Sequence, residues 1–529
     1  MPEIRYKAGG KLHRIKRSDS NLQIEKHTKD GRTTVVVTAK ADVELTDARI
    51  VMPWKLTRKS LIMANGYQSW TQTRQFMPGE HLNDLKLRPR LAERLFHFRN
   101  YGSQAFWSLP INKLIGFDWS YVTDPYIFIG SYNYRNAYLL IMFERDRDRI
   151  VLKSDVAGKT LSSGTSFTVF DYYTGEDKSL YFDHLTPLSN KKIIGYTSWY
   201  NHYQNINSDL ILKALEKTDQ TYNLFQIDDG FETFVGDWLD IDKNKFPDGL
   251  EPIVEKIHEK GLMAGIWLSP FIAESKSRLV KEHPGWLSVN RKNREIYAGC
   301  NWSGQIPLDL NKKGAVQYVR DVLRFYCKLG FDFFKLDFLY ATNLKRLDGK
   351  TRAETAEFAY SILREELDGK LILGCGATLS NGFGKFDYCR IGPDVSLIFD
   401  DLPYMRIFHP ERISTKVTIL NTIFRSELDG KAFLNDPDVF LLRDDNIKLT
   451  VQQRKSLTLI NALFGSVLMT SDITSEYDEK KKKVFEQALD LFNNAKVTDF
   501  ARQGKYVIIR YELRGEIKTL KYNMKKGTL

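Results

Sequence analysis

A multidomain α/β chain is what this 529-residue sequence predicts: a (β/α)8 TIM barrel behind an N-terminal antiparallel β-sandwich, with a small C-terminal β domain. Three observations predict it. Short alternating segments give way near residue 190 to a repeated strand, loop and helix pattern. About eight such units follow, the number that closes a barrel. The strand ends carry Asp, Lys, Arg and Trp at equivalent positions, where a barrel keeps its chemistry.

The N-terminal segments come first. "TTVVVTA" (33–39), "RIVMPWKL" (49–56), "YIFIGSYN" (126–133), "AYLLIMFE" (137–144), "RIVLKSD" (149–155) and "SFTVFDYY" (166–173) alternate apolar and polar residues. Asn, Asp, Gly and Lys separate them, as in an antiparallel sandwich, which we place at 1–188. From 189 to 490 the units run in order. "IIGYTSW" leads to helix "DLILKALEKT", and "YNLFQIDDG" to helix "LEPIVEKIHEKG", which Gly261 ends. "LMAGIWLSP" follows. Helix "AVQYVRDVLRFYCKLG" feeds "FDFFKLDFLY", and helix "RAETAEFAYSILREELDG" feeds "KLILGCG". "YCRIGPD", "FLNDPD" and "SVLMTSD" complete the strands, with helices around 411–428 and 451–465. An open doubly wound sheet is the alternative, but no GxGxxG or P-loop stands at a strand end. "KYVIIRYEL" and "EIKTLKYN" read as hairpins of a domain at 491–529.

Composition narrows the class. With 42% hydrophobic and 27% charged residues, the chain is ordinary globular protein. The net charge of +12 is not gathered for nucleic acid: "KLHRIKR" and "EKKKKVF" stand far apart, and no recognition motif accompanies them. No window reaches the length of a membrane span, and "MPEIRYKAGGKLHRIKRSDS" has no apolar signal core. Cys300, Cys327, Cys375 and Cys389 match no CxxC spacing, so free thiols in a reducing cytoplasm are expected.

The opening of the site is "FDFFKLDFLY" (331–340), where Lys335 and Asp337 share one strand face inside an otherwise apolar run. Burying both is costly unless they are paired or used. Other strand ends add Trp199 and Tyr200, Asp228 and Asp229, Trp267, Cys375, Arg390 and Asp394, and Asp436 and Asp438. Paired carboxylates define most glycosidases: one protonates the leaving oxygen, the other attacks carbon or activates water. Indoles suit the flat faces of sugars. No GxSxG elbow and no zinc spacing of histidines is present, and the glycosidase reading calls for neither metal nor organic cofactor. His202 in "WYNHY" reads as structural.

"NGYQSW" (65–70), "SWY" (198–200), "QIDDGFE" (226–232), "GDWL" (236–239), "GIWLSPF" (265–271), "FKLDFLYA" (334–341), "LGCGA" (373–377), "RIGPD" (390–394) and "LNDPD" (434–438) follow one another in order. Together they resemble glycoside hydrolase family 36, retaining α-galactosidases with some α-N-acetylgalactosaminidases, and this chain is similar to its short members. The resemblance implies a supersandwich, a barrel and a small β domain, acting on α-galactoside oligosaccharides. It implies Asp337 as nucleophile, with Lys335 keeping it ionised, and Asp394 as acid/base; Asp387 is the competitor for the second role. It implies sugar contacts at Trp199, Tyr200, Asp228, Asp229, Trp267, Lys335 and Arg390, with Cys375 and Gly376 near the 2-position. Trp70 is expected to reach the cleft from the β domain. Two departures stand out: "VSLIFDD" (395–401) has no Trp, and "GATLSNGFGKFD" (376–387) replaces a Gly-rich stretch. They leave the aglycone contacts and oligomeric state open. An α-N-acetylgalactosaminidase, a transglycosidase, a silent sugar-binding protein and a metal-dependent hydrolase built on Asp228, Asp229 and Asp337 are the other readings.

Overall fold

The computed structural model describes residues 1–82, 113–400 and 414–529. Two seven-stranded antiparallel sheets occupy the N-terminal region. The first contains Glu3–Ala8, Lys11–Ile15, Val43–Pro53, Leu114–Phe117, Leu139–Glu144, Arg149–Ser154 and Lys159–Leu161. The second contains Leu22–Lys29, Arg32–Ala39, Ile62–Ala64, Arg74–Phe76, Trp119–Thr123, Tyr126–Ser131 and Ser166–Gly175. Alternation does the work expected of it: along Arg32–Ala39 every second residue, from Thr33 to Ala39, is buried. Val35, Val37, Ile129 and Phe170 of one sheet share a core with Tyr6, Leu45, Ile141 and Ile150 of the other. Each of the six N-terminal segments read from the sequence contributes to a strand. Lys11–Ile15, taken as part of a basic run, is instead an edge strand with no buried residue. Pairing with Glu3–Ala8 holds it, so no hydrophobic pattern betrays it.

A parallel sheet follows. Its segments are β1 (Ile193–Thr197), β2 (Leu224–Ile227), β3 (Met263–Leu268), β4 (Phe333–Leu336), β5 (Leu371–Gly374), β6 (Tyr388–Arg390), β7 (Leu434–Asp436), β8 (Val439–Phe440) and β9 (Val467–Thr470). Their order is β7-β6-β5-β4-β3-β2-β1-β9-β8. The two edge segments, β7 and β8, are separated in sequence only by Pro437 and Asp438. The sheet therefore curls until its edges meet, consistent with the barrel expected. Pro437, which has no N–H to donate, falls at the changeover between partners. Helices Ser208–Glu216, Glu251–Glu259, Lys313–Lys328, Arg352–Glu366, Thr415–Phe424 and Val451–Phe464 connect the strands. Capping boxes start two of them, Thr351 with Glu354 and Thr450 with Gln453. The helix expected from residue 411 is described from Thr415; 411–413 lie outside the described residues.

Helix Glu479–Asn494 carries the "EKKKKVF" run, with Lys480, Lys482 and Lys483 exposed to solvent. It leads into a three-stranded antiparallel sheet, Ala495–Gln503, Tyr506–Leu513 and Glu516–Asn523. The first of these strands has no fully buried residue, which is why its sequence carries no strand signal.

One buried cation joins the N-terminal sheets to the parallel one. Arg425, just past helix Thr415–Phe424, is fully enclosed. Its Nε donates to the Asn65 side-chain oxygen at 3.0 Å, and Nη1 to the carbonyls of Ile391 at 2.7 Å and of Ser69. Its Nη2 donates to the carbonyls of Gln68 at 3.0 Å and Gly66 at 3.3 Å. All five acceptors are neutral, and burial pulls the Arg425 pKa down to about 9. Asn421, one helical turn earlier, accepts from Thr73 N at 2.8 Å and donates to Thr71 O at 3.0 Å. Across the same junction the Ser69 amide donates to the Ala377 carbonyl at 2.9 Å and the Ala377 amide to Ser69 Oγ at 2.9 Å. The loop 65–73 is thereby fastened to the parallel sheet, and Trp70 with it.

Replacing Arg425 with Leu would strand these carbonyl groups away from water. Each unsatisfied buried group costs about 1–3 kcal/mol. Arg425→Leu is expected to lower unfolding free energy by at least about 3 kcal/mol, read by urea denaturation. A loss below about 1 kcal/mol would show that the loop is held by other contacts.

Candidate active site

All nine segments run parallel, so their carboxyl ends lie at one edge of the curled sheet. In the ladders Trp267 pairs with Lys335 and Arg390 with Asp436. Parallel neighbours stand about 4.8 Å apart, within reach of one long side chain.

At the end of β4, Lys335 Nζ donates to Asp228 Oδ2 at 2.8 Å. Asp228 also accepts from Gln226 Nε2 at 2.7 Å and Thr197 Oγ1 at 3.2 Å. Burial alone would lower the Lys335 pKa, but Asp228 and, behind it, Asp337 outweigh it and hold the ammonium above its ordinary value. The expected neighbour of Lys335 was Asp337. The direct ion pair is instead with Asp228, because β4 ends at Leu336 and the chain turns there. Asp337 is held by N–H donors: Trp267 Nε1 at 3.0 Å and the Phe338 amide at 2.7 Å. Phe338 takes the left-handed conformation that this turn requires, φ +54°.

Arg390 is the second buried cation. Its Nε reaches Asp436 at 2.9 Å, Nη1 reaches Asp394 at 3.0 Å and Nη2 reaches Asp438 at 2.7 Å. One positive charge cannot neutralise three carboxylates. Burial, with Asp394 and Asp436 nearby, pushes the Asp438 pKa up to about 7 against the pull of Arg390. Asp438 also accepts from the Val395 amide at 2.6 Å and from the Tyr200 hydroxyl. Asp394 is likewise raised, by its enclosed surroundings first and by Asp337, while Arg390 opposes the shift. Its side chain nevertheless keeps 40% of its surface open, so water or a ligand can reach it.

The remaining expected residues distribute around these two cations. Cys375 is buried at the end of β5, and burial and Asp337 push its thiol up. Gly376, at φ +55°, leaves room for Trp70: a Cβ there would come within 3.0 Å of the indole. Trp70 also meets Phe338 edge-on at 5.1 Å. Trp199 is half-buried in the short helix Trp199–His202 after β1. Arg443 Nη2 holds the Tyr200 carbonyl at 2.7 Å in the same helix. Burial lowers the pKa of His202, the last residue of that helix. Asp387 stands at the start of β6, the opposite edge, bound to Arg364 at 3.0 Å and to the Ile372 amide at 2.9 Å.

Asp229 turns away from its neighbour. It accepts from Trp302 Nε1 at 3.0 Å and from Gln204 Nε2 at 3.1 and 3.2 Å. Burial and the adjoining Glu232 carboxyl hold its pKa well above the usual range. Trp302, Gln204 and Glu232 were not singled out from the sequence. Glu232 closes the motif "QIDDGFE", Trp302 is a lone indole in the polar stretch "CNWSG", and Gln204 left no signal. Among the described residues no group of three His, Cys, Asp or Glu side chains is disposed to hold a metal ion. No helix among them is long and apolar enough to cross a membrane. Chemically, the mouth offers Asp337, whose carboxyl accepts from two N–H donors, and the solvent-accessible Asp394, whose pKa is raised.

Residues 171–363 match the Melibiase family. The α-xylosidase XylQ of Lactiplantibacillus pentosus is 36% identical over 126 residues, covering 23% of this chain and 16% of that protein. The α-galactosidase Mel36A of Lactobacillus acidophilus is 33% identical over 98 residues, covering 17% of this chain and 13% of that protein. The matched segments thus span less than a fifth of these curated relatives. TtGalA, an α-galactosidase from Thermus thermophilus solved with p-nitrophenyl α-D-galactopyranoside, superposes with a TM-score of 0.72. The identity is 23%, covering 97% of this chain and 98% of that one, which shows a shared fold. These matches bear out the resemblance to glycoside hydrolase family 36 carried by the ordered motifs.

The Asp438 carboxyl has a pH signature. Its folded pKa of about 7 lies above the roughly 3.9 of an unfolded Asp. Between these values the folded protein keeps a proton that the unfolded chain releases, so stability falls as pH rises through the window and levels off above it. Asp438→Asn is expected to flatten that decline by up to about 1.4 kcal/mol per pH unit, read by denaturation between pH 4 and 8. An unchanged slope would mean that the proton resides elsewhere.

Proposed function

We propose, taking kinship with the Melibiase family as the premise, that this chain is a retaining exo-α-galactosidase on a (β/α)8 barrel. The domains we assign are a sandwich at 1–188, the barrel at 189–490 and a small β domain at 491–529. One observation carries the reading: Asp337, just past β4, accepts from two N–H donors, while Asp394, past β6, is open to solvent and has a raised pKa. A double displacement needs that difference. Asp337 attacks the anomeric carbon from the β face as Asp394 gives its proton to the departing glycosidic oxygen. The resulting β-galactosyl ester on Asp337 is opened by water, whose proton returns to Asp394. The Trp267 and Phe338 N–H groups aim the attacking carboxylate. Lys335, Asp228, Asp229, Arg390 and the indoles of Trp70 and Trp199 are assigned to the sugar hydroxyls and ring faces, with Tyr200 supporting from behind through Asp438. Two relatives or neighbours named above as α-galactosidases support the substrate class. The four free thiols fit a reducing cytoplasm.

An α-N-acetylgalactosaminidase would need space beside the 2-position. The close approach of Trp70 to Gly376 and the enclosure of Cys375 favour galactose over the acetamido sugar. Transglycosylation would use the same two carboxylates, with a sugar in place of water. Asp387 is set apart from this chemistry by its ion pair with Arg364 at the other edge.

A panel of nitrophenyl α-glycosides tests the specificity. The galactoside is expected to give the highest kcat/KM; equal values for the glucoside, or faster cleavage of the N-acetylgalactosaminide, would overturn the assignment. Variants test the roles. Asp337→Ala should lose turnover while remaining folded, and azide should then yield the β-galactosyl azide. Asp394→Ala should slow natural galactosides by roughly 10² to 10⁴-fold yet spare the first step on a dinitrophenyl galactoside. There azide should restore turnover and give the α-galactosyl azide. Rescue of Asp387→Ala in place of Asp394→Ala would transfer the acid/base role to Asp387.

A further inference from the structure

Trp302 lies between two strands of a short antiparallel ribbon, Ile272–Glu274 and Gln305–Pro307, that overhangs the mouth. Its backbone is left-handed, φ +54°, which a bulky side chain adopts only under constraint. The constraint is visible. Buried Glu274 accepts from Ser303 Oγ at 2.7 Å and from the Ser303 amide at 3.3 Å, and Ser275 N bonds to Gly304 O at 3.0 Å. Phe338 and Asp438, both at the mouth, are left-handed too. Backbone strain of this kind is held by its surroundings and marks a position worth testing for function.

The strained turn delivers the indole to a defined place. Nε1 donates to Asp229 at 3.0 Å, as Trp267 Nε1 donates to Asp337 at 3.0 Å. The Trp302 ring leans on Trp267 at 6.1 Å and on Phe338 at 5.4 Å. Unlike Trp267 and Trp70 it is not fully buried. It borders open space of about 300 Å³ with Gln204, Glu232 and Ser303, a space that Asp337 and Asp394 do not line. The indole stands against Asp229, which with Asp228 the α-galactosidase reading sets against the 4- and 6-hydroxyls of the sugar, and it is partly uncovered.

We propose that Trp302 is a specificity-determining residue: its indole, fixed by Asp229, Trp267 and Phe338, forms the wall against which the C5 hydroxymethyl group of a bound hexose packs. The proposal rests on the α-galactosidase reading and adds to it a choice between hexosides and pentosides. An α-D-galactopyranoside and a β-L-arabinopyranoside share ring, hydroxyls and anomeric geometry, and only the first carries the hydroxymethyl group. An α-D-fucopyranoside keeps the carbon and drops the hydroxyl.

The test compares kcat/KM for the three p-nitrophenyl glycosides in the unmodified enzyme, Trp302→Ala, Trp302→Leu and Trp302→Phe. The galactoside-to-arabinoside ratio is expected to fall at least about tenfold in Trp302→Ala, the scale of a lost apolar contact. The fucoside should fall with the galactoside, and Trp302→Phe should keep the ratio within about threefold. Trp302→Leu serves if the Ala variant does not fold, with an expected loss between the two. A role confined to holding the loop would lower all three substrates together, and an unchanged ratio in the folded variants overturns the proposal. Failure of the unmodified protein to cleave the galactoside would overturn the reading beneath it, and the proposal with it.

Discussion

Arg390 and Lys335 are the charges on which the mouth of this molecule depends. Withdrawing a cation from water is unfavourable unless hydrogen-bonded anions surround it. The parallel sheet supplies them: Asp436 from the strand beside Arg390, and Asp228 from the end of β2, one strand beyond the neighbour of Lys335. The balance is not neutral. Asp228, Asp337, Asp394, Asp436 and Asp438 outnumber the two cations, and burial together with this excess raises the pKa values of Asp394 and Asp438. Burial, reinforced by a surplus of carboxylate around the guanidinium, biases both acids toward their protonated forms. Asp394 combines that bias with access to solvent, whereas Asp438 is sealed beneath it.

The same mouth draws on parts of the chain far from the parallel strands. Trp70 comes from the N-terminal sheets, and its loop is fastened by a guanidinium with neutral acceptors, Arg425. The two arginines show how differently one side chain is used. Arg390 spends its donors on charge and tunes acids. Arg425 spends them on carbonyls, satisfies a turn that would otherwise be starved of hydrogen bonds, and fixes one sheet system against another. Trp302 comes from a ribbon between β3 and β4, and Phe338, between Trp70 and Trp302, touches both rings. The aromatic surface at the mouth is thus assembled from three separate stretches of sequence around one left-handed residue.

Much of this was legible in the residues alone. Alternation marked the central strands of both N-terminal sheets, and the strand–helix rhythm after residue 190 marked the parallel one, because burial imposes a period on sequence. Edge strands such as Lys11–Ile15 and Ala495–Gln503 carried no such period, since their hydrogen bonds, not their side chains, bind them to the fold. The charged strand ends were visible for the same reason: Lys335 and Asp337 are out of place in an apolar run unless something uses them. Asp337, Asp394, Arg390, Lys335 and Asp228 do come together at one edge.

Which of them touch was decided only by tertiary structure. Lys335 bonds Asp228, over a hundred residues away, and not the Asp337 two positions along the chain. The Asp229 carboxyl meets Trp302 and Gln204, while only its amide stays with Asp228. Sequence order determines which strand end a side chain occupies, because the parallel sheet maps successive units onto successive positions. It does not determine side-chain partners, because a turn of one residue past the strand rotates a carboxylate away from its sequence neighbour. The charges and N–H groups that then meet it belong to other strands and to loops whose positions only the packed structure sets.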